Sequence, residues 1–352
     1  CSSVTAITST GPVAADPMRN LTRYLLTGLL VLAAALPFLV GKSGFISNFT
    51  FLQLSLMIVY AIAVLGLNLL TGFNGQISLG HGAFFAVGAY TAASLIEHYG
   101  VNYWLTLPAA ALMCFVIGYL FGLPALRLEG HYLALATFGL AIAVPQMLKY
   151  RHLEPLTNGV MGINLLKPDA PFGLPLSGDQ WMYLVVLIVA VAMFWMARNL
   201  LNSRPGRAMV AIRDHTLAAG TMGIDTSRYK ATVFGISALY VGVAGALHAI
   251  IFEFVSPDSF RFELSIAILV GAVVGGVASL PGAVIGGIFV QFIEKYADAM
   301  TKKLTQAIHL PLELQPWTLY GITLIVLIYV MPGGIAGGLA ALWARLKRRQ
   351  GG

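Results

Sequence analysis

The chain has 352 residues, of which 58% are hydrophobic and 10% charged, and its formal net charge is +7. Those proportions exclude an ordinary soluble domain and point to a polytopic membrane protein. The basic residues stand at the ends of apolar runs and form no continuous patch, which assigns them to lipid headgroups and topology rather than to nucleic acid.

Residues 1–17, CSSVTAITSTGPVAADP, are small and polar and are expected to be disordered, or to belong to an upstream start or an added extension, with Met18 reading as a natural start. A lipid anchor on Cys1 is the other reading. The only other cysteine, Cys114, lies in an apolar run, so neither a disulfide framework nor a cysteine metal site is expected. A transmembrane domain is expected over 18–341 and a basic tail over 342–352.

A bilayer core about 30 Å thick needs about 20 apolar residues as a helix. Candidate runs lie at 22–40, 49–70, 78–96, 104–123, 132–148, 181–197, 231–252, 264–277, 282–293 and 317–331. The runs at 264–277 and 282–293 are short and are split by Ala278-Ser279-Leu280-Pro281. They are two crossings, a re-entrant hairpin or one broken helix. The fold class is therefore all-α, with eight to ten transmembrane helices. Between the first two runs, Gly41-Lys42-Ser43 imitates the end of a phosphate-binding loop, but Leu36 stands where that motif needs glycine.

Asn68 to Tyr90, NLLTGFNGQISLGHGAFFAVGAY, is rich in glycine and small polar residues and holds no Lys, Arg, Asp or Glu. This is the composition of a discontinuous membrane segment. Glycines let the backbone bend, and polar side chains bond the groups that a break sets free. Gly72, Asn74, Gln76, Ser78, Gly80 and His81 are candidates for lining a pathway; the alternative is tight packing with every polar group satisfied. Further along, Gly118 with Gly122, Gly271 with Gly275 and Gly282 with Gly286 have the four-residue spacing of close helix contacts.

Two polar stretches, 149–180 and 253–263, carry Glu154, Asp169, Asp258 and Glu263, which either meet a soluble partner through salt bridges or are simply solvated. The interval Arg198 to Lys230 lies between apolar runs and holds six of the 21 Lys and Arg residues. Ser203 is placed to cap a helix starting near Pro205, and Asp214 to cap a second from His215 to Met222 that ends at Gly223. Such a pair is too polar to cross a bilayer. It is either a docking element or a basic loop that fixes topology.

Ten crossings put both termini on one side. Thirteen basic residues fall on that side and eight on the other, which supports cytoplasmic termini and a cytoplasmic 198–230 loop. The runs beginning at Phe49 and Ala231 then open two four-helix sets of opposite orientation, the pattern of an inverted repeat. Within the runs there is essentially no Asp, Glu, Lys or Arg, which disfavours a carrier coupled through a buried carboxylate. No catalytic triad, paired carboxylates or helical His spacing for a metal stands out, so neither catalytic nor metal residues are assigned.

Three stretches carry a resemblance: LNLLTGFNGQISLGHGAFFAVGAYTAA from Leu67, GHYLALATFGLAI from Gly130, and RPGRAMVAIRDHTLAAGTMGIDTSRYKATVFGISALYVGVAGALHA from Arg204. From about Leu21 to Gly338 the chain resembles the LivM-type permease subunits of bacterial high-affinity branched-chain amino acid ABC importers. The resemblance implies a type II importer permease fold and a multi-pass protein of the inner membrane. It also implies a LivH-type sister permease, two ATPase subunits that use the ATP and Mg, and a periplasmic substrate-binding protein. The chain itself would hold no cofactor. The coupling role on the ATPase falls on Gly206, Arg207, Ala211, Arg213, Asp214, Ala218, Ala219 and Gly223. Where relatives carry a TGG-type stretch, this chain has Thr157-Asn158-Gly159, which leaves urea, short amides or other amino acids as alternative cargo. An ion-coupled stand-alone carrier is the rival of another class.

Overall fold

A computed structural model describes residues 48–125, 130–168, 170 and 176–292, with isolated positions at 33, 35–37, 321, 325, 329 and 333–338. The chain divides into two compact units, Cys1–Ser47 and Asn48–Gly352, and the second holds the hydrophobic core. The segments 1–17 and 342–352, and nearly all of the runs at 22–40 and 317–331, lie outside the described residues.

Helix α1 (Asn48–Asn68) runs into a wider π-turn at Leu69–Phe73, and the chain is then non-helical from Gly75 to Gly80 until α2 begins at His81 (His81–Tyr99). There follow α3 (Tyr103–Ala125), α4 (His131–Leu148), a one-turn α5 (Glu154–Thr157) and a two-residue strand β1 (Ile163–Asn164). Next come α6 (Gly178–Asn202), α7 (Arg204–Asp214), α8 (Thr216–Thr221), α9 (Thr226–Phe252), β2 (Phe254–Val255) and α10 (Phe262–Gly275). A further helix, α11, is described over Leu280–Phe292, and residues 334–338 are helical as well. Five of these segments, Asn48–Phe73, Tyr103–Pro124, His131–Leu148, Gly178–Asn202 and Thr226–Phe252, are long and apolar enough to cross a membrane.

The core forms around α9, which packs on α1, α2 and α3. Its sequence explains why. Small residues recur along it, and in a membrane, where lipid is as apolar as leucine, helices associate by letting backbones approach. A methyl group added at Gly88 would collide with the Gly242 carbonyl, and one at Gly245 with the Phe85 carbonyl, so α2 and α9 touch backbone to backbone. On the neighbouring side, Gly118 lies against Ala238 and Gly122 against Ala231, which is the expected use of that glycine pair.

The short runs at 264–277 and 282–293 become an antiparallel hairpin. Gly275 faces Gly282, and Gly271 faces Gly286 and Val290, so all four glycines expected to mediate close contact lie at its seam. With 14 and 13 residues, its arms are only about 20 Å long. The first arm is shorter than the hydrocarbon core of about 30 Å; the second is described only as far as Phe292. Its tip, 276–279, meets the end of α1.

Two faces result. One carries the end of α1, α7, α8 and the hairpin tip. The opposite one carries α5, the Pro257–Phe260 turn and the β1–β2 pair, whose register is Ile163 with Val255 and Asn164 with Phe254.

Candidate functional site

The discontinuous segment exists. From Asn74 to Gly80 burial alternates with period two: Asn74, Gln76, Ser78 and Gly80 are buried, Gly75 and Ile77 are exposed and Leu79 is half-buried. That is the periodicity of an extended chain, and it turns the polar side chains inward. The Gln76 amide donates to Lys230 O at 3.2 Å, and Thr137 Oγ1 accepts from Leu79 N at 2.9 Å. Gly80 is pressed against the Thr137 carbonyl. At the first turn of α2, Ser265 Oγ accepts from Gly82 N at 2.9 Å.

His81 closes this network. Ser237 donates its only proton to Gly66 O at 2.6 Å, so at 2.6 Å from His81 Nε2 it acts as acceptor, and Nε2 carries the proton. Nδ1 then accepts from Ser78 Oγ at 2.9 Å. The neutral ring has both nitrogens satisfied and rests edge-on against Phe84. His81 thus ties the broken segment, α1 and α9 together. Of the six pathway candidates, Gly72, Asn74, Gln76, Ser78, Gly80 and His81, every one is buried inside the subunit. The side chain of the segment that reaches the surface is Ile77, at 43% exposure.

Asn74 is the exception to satisfaction. It is 2% exposed, yet neither its amide nitrogen nor its amide oxygen has a partner, and nearby in sequence Thr71 Oγ1 is also buried and unpaired.

A second junction lies at Asn68. Its Nδ2 donates to Ser279 O at 3.0 Å and Gly276 O at 3.3 Å, and its Oδ1 accepts from Ala278 N at 2.7 Å. One side chain therefore joins the α1 break to the hairpin tip. Gly72 fits between them because a Cβ there would strike Asn68 Oδ1 and Ala278 N.

The α7–α8 pair sits at the same end. It buries Gly206, Ala208, Met209, Ile212 and Ala219, leaving Arg207, Ala218 and Gly223 exposed and Ala211 half-buried. Gly206 is tight against the Leu200 and Leu201 carbonyls, and Gly223 ends the pair with φ 83. Arg213 reaches inward: Nη1 donates to Gly72 O at 3.0 Å, and Nη2 lies 2.9 Å from Asp214 Oδ1. The loop is thus bonded to the broken end of α1.

Its capping differs from expectation. Ser203 precedes α7, but its hydroxyl donates back to Leu200 O instead of accepting from the new helix. Asp214 is the last residue of α7, and His215 stands at the start of α8 without a side-chain cap. Asp214 is drawn away because its carboxylate is held by Arg213, the adjacent cation.

On the opposite face, Asp258 takes Lys149 Nζ at 2.7 Å and lies 3.8 Å from Arg261. The Lys149 hydrogen bond, aided by both cations, holds its carboxyl below the usual range. Glu154 is exposed at the start of α5, Glu263 is half-buried in the first turn of α10, and Asp169 lies outside the described residues. Sequence reasoning missed Lys167, which bridges Asp179 at 2.7 Å and Glu253 at 2.8 Å. Burial pulls its pKa down, but bonds and charge from the two carboxylates outweigh that and leave it raised. The departure at Asn158 has a local reason: it holds φ 53, a left-handed conformation that asparagine tolerates better than most residues. The backbone that glycine would adopt there is kept.

Residues 49–344 match the family model described as branched-chain amino acid transport system / permease component. The chain is 37% identical over 280 residues to the high-affinity branched-chain amino acid transport system permease protein LivM of Escherichia coli K12, covering 73% of this chain and 64% of that protein. It is 25% identical over 293 residues to the permease LivH of Salmonella typhimurium, covering 79% and 91%. A probable LivM of Methanocaldococcus jannaschii is 23% identical over 235 residues, covering 66% and 67%. The chain thus spans just under two thirds of the length of the LivM relative from Escherichia coli. No solved structure matches it.

Proposed function

The chain belongs to the family of branched-chain amino acid transport system permease components, and on that footing we propose that it is one membrane subunit of an ATP-driven importer. Its cargo is leucine, isoleucine and valine, delivered by a periplasmic binding protein. The pathway forms with a LivH-type sister permease in the bacterial inner membrane. ATP and Mg are handled by two separate ATPase subunits, and this chain breaks no covalent bond. The face with α7 and α8, and both termini, are cytoplasmic.

One observation carries this reading: an amphipathic helix pair presents apolar side chains to solvent while being bonded inward to a broken helix. Leu217 is 88% and Met222 85% exposed, and apolar groups so placed gain free energy when a partner covers them. Arg213 passes any displacement of the pair to Gly72, and Asn68 passes it to the hairpin tip. The exposed Arg207, Ala218 and Gly223 belong to the seat of the ATPase, while Gly206, Ala211, Ala219, Arg213 and Asp214 hold its shape. On the opposite face, Glu154 with 253–263 offers the seat for the binding protein, and Asp169 is assigned there from sequence.

The pathway borders the outward edge of 74–80. Ile77 is exposed, and its N–H has no partner among the described residues. Non-helical backbone with an unpaired N–H cannot face hydrocarbon, so protein or water must cover it.

The test is co-expression with a sister permease and ATPase subunits, followed by reconstitution. Leu217→Asp with Met222→Asp should lose the ATPase subunits. Arg213→Ala should keep them but uncouple hydrolysis from uptake. Solute movement by the chain alone, without partners, would overturn the proposal in favour of a stand-alone carrier.

A further inference from the structure

On the face opposite α7 and α8, a cavity of about 360 Å³ opens between α1, α2, α9, α10 and the Pro257–Phe260 turn. Its wall is aromatic. His248 lies within it, stacked on Phe252 at 5.2 Å between ring centres, edge-on to Phe85 at 5.3 Å, and 6.5 Å from Tyr60. Phe260 completes the ring set. His248 Nδ1 is sealed from solvent and has no hydrogen-bond partner, in contrast to His81, where both nitrogens are engaged.

The mouth is charged with both signs. Asp258, Arg261 and Glu263 line it. Asp258 is already committed to Lys149 at 2.7 Å and has Arg261 only at 3.8 Å. Glu263 has no ion pair among the described residues. Once Asp258 and Lys149 cancel, one guanidinium and one carboxylate remain. A molecule of net charge would leave one of them opposed to a like charge, and a purely apolar molecule would satisfy neither. The volume is at the small end of ligand sites, about 300–1,000 Å³, which limits the occupant to a small solute.

We propose that this cavity binds an α-amino acid zwitterion with an apolar side chain. Its carboxylate faces Arg261, its ammonium faces Glu263 and the aromatic faces that attract cations, and its side chain lies among Phe85, Phe252 and Phe260. The proposal rests on the importer reading above and adds the place where this subunit receives the cargo.

Ser259 is exposed and lines the cavity, which gives a direct test. In the assembled transporter, Ser259→Cys is introduced together with Cys1→Ser; Cys114 is buried. The rate of modification by a methanethiosulfonate reagent is measured by mass spectrometry, and leucine uptake by the same preparation is measured alongside. Leucine at about four times its Kd should slow modification roughly fivefold, since about four sites in five are then occupied. Leucine without its ammonium, 4-methylpentanoate, and leucine without its carboxylate, isopentylamine, should protect far less. Adding Glu263→Gln should remove the protection by leucine. Unchanged modification in a preparation that takes up leucine overturns the site and leaves the importer reading standing. Equal protection by either truncated analogue overturns the zwitterion assignment. A parent transporter that takes up no apolar amino acid overturns the importer reading, and the site falls with it.

Discussion

Replacing Asn68 by leucine nearly conserves volume and removes three hydrogen bonds between α1 and the hairpin tip. Side-chain bonds between membrane helices average about 0.6 kcal/mol, so the two to the carbonyls are worth about 1.2 kcal/mol. Leaving the Ala278 N–H without a partner costs about 1–3 kcal/mol, so the expected loss is about 2–4 kcal/mol. Ala278 is also held at φ 59, a left-handed conformation that costs a non-glycine residue about 1–2 kcal/mol. Ala278→Gly should therefore recover about 1 kcal/mol of the deficit in the double variant. The measurement is thermal unfolding of the purified protein in one detergent, followed by intrinsic fluorescence. A drop of several degrees for Asn68→Leu, partly restored by Ala278→Gly, is the expected result. An unfolding midpoint unchanged from the parent would refute the idea that this amide holds the tip.

Gly88→Ala should cost about 1–3 kcal/mol or more through overpacking against Gly242. Gly139→Ala, which meets nothing within 4 Å, should instead be neutral or gain up to about 1 kcal/mol in helix propensity; comparing folded yield and melting of the pair checks both. The raised pKa of Lys167 means that its stabilisation is fully present below its ordinary value of about 10.4 and is lost as pH rises through the folded value. The melting difference between the parent and Lys167→Met should hold from neutral pH to about pH 9 and close only in stronger alkali. The depressed pKa of Asp258 has the opposite sign. Its contribution is present above the ordinary carboxyl value of about 3.9 and is lost as pH falls below it, so an Asp258→Asn difference should vanish only in acid.

The break after Asn68 was legible because glycine and small polar residues in a membrane run have few other uses. Which way the polar side chains turn was not: an alternating pattern fixes two faces without saying which is buried, and the structure turns them inward to satisfy the freed backbone. The glycine pairs were legible as close contacts by their spacing, although their partners, Ala231 and Ala238 for one and the facing hairpin arm for another, depend on the assembled fold. The capping assignments for Ser203 and Asp214 failed because each side chain found a nearer partner, Leu200 O and Arg213. Lys167 with Asp179 and Glu253 was hidden because charge pairs far apart in sequence leave no local pattern.

The backbone contact at Gly242 lets α9 act as a lever. Gly88 from α2 presses on that point with its backbone and Cys114 from α3 with its short side chain. His248 lies about 9 Å along the helix from this fulcrum, and Thr226 about 24 Å on the other side. A rotation that moved the His248 end by about 1 Å would carry the Thr226 end about 2.7 Å. That long arm is where α9 meets the α7–α8 pair and where Gln76 grips the Lys230 carbonyl. A small displacement among the aromatic rings would therefore arrive enlarged at the other face of the protein.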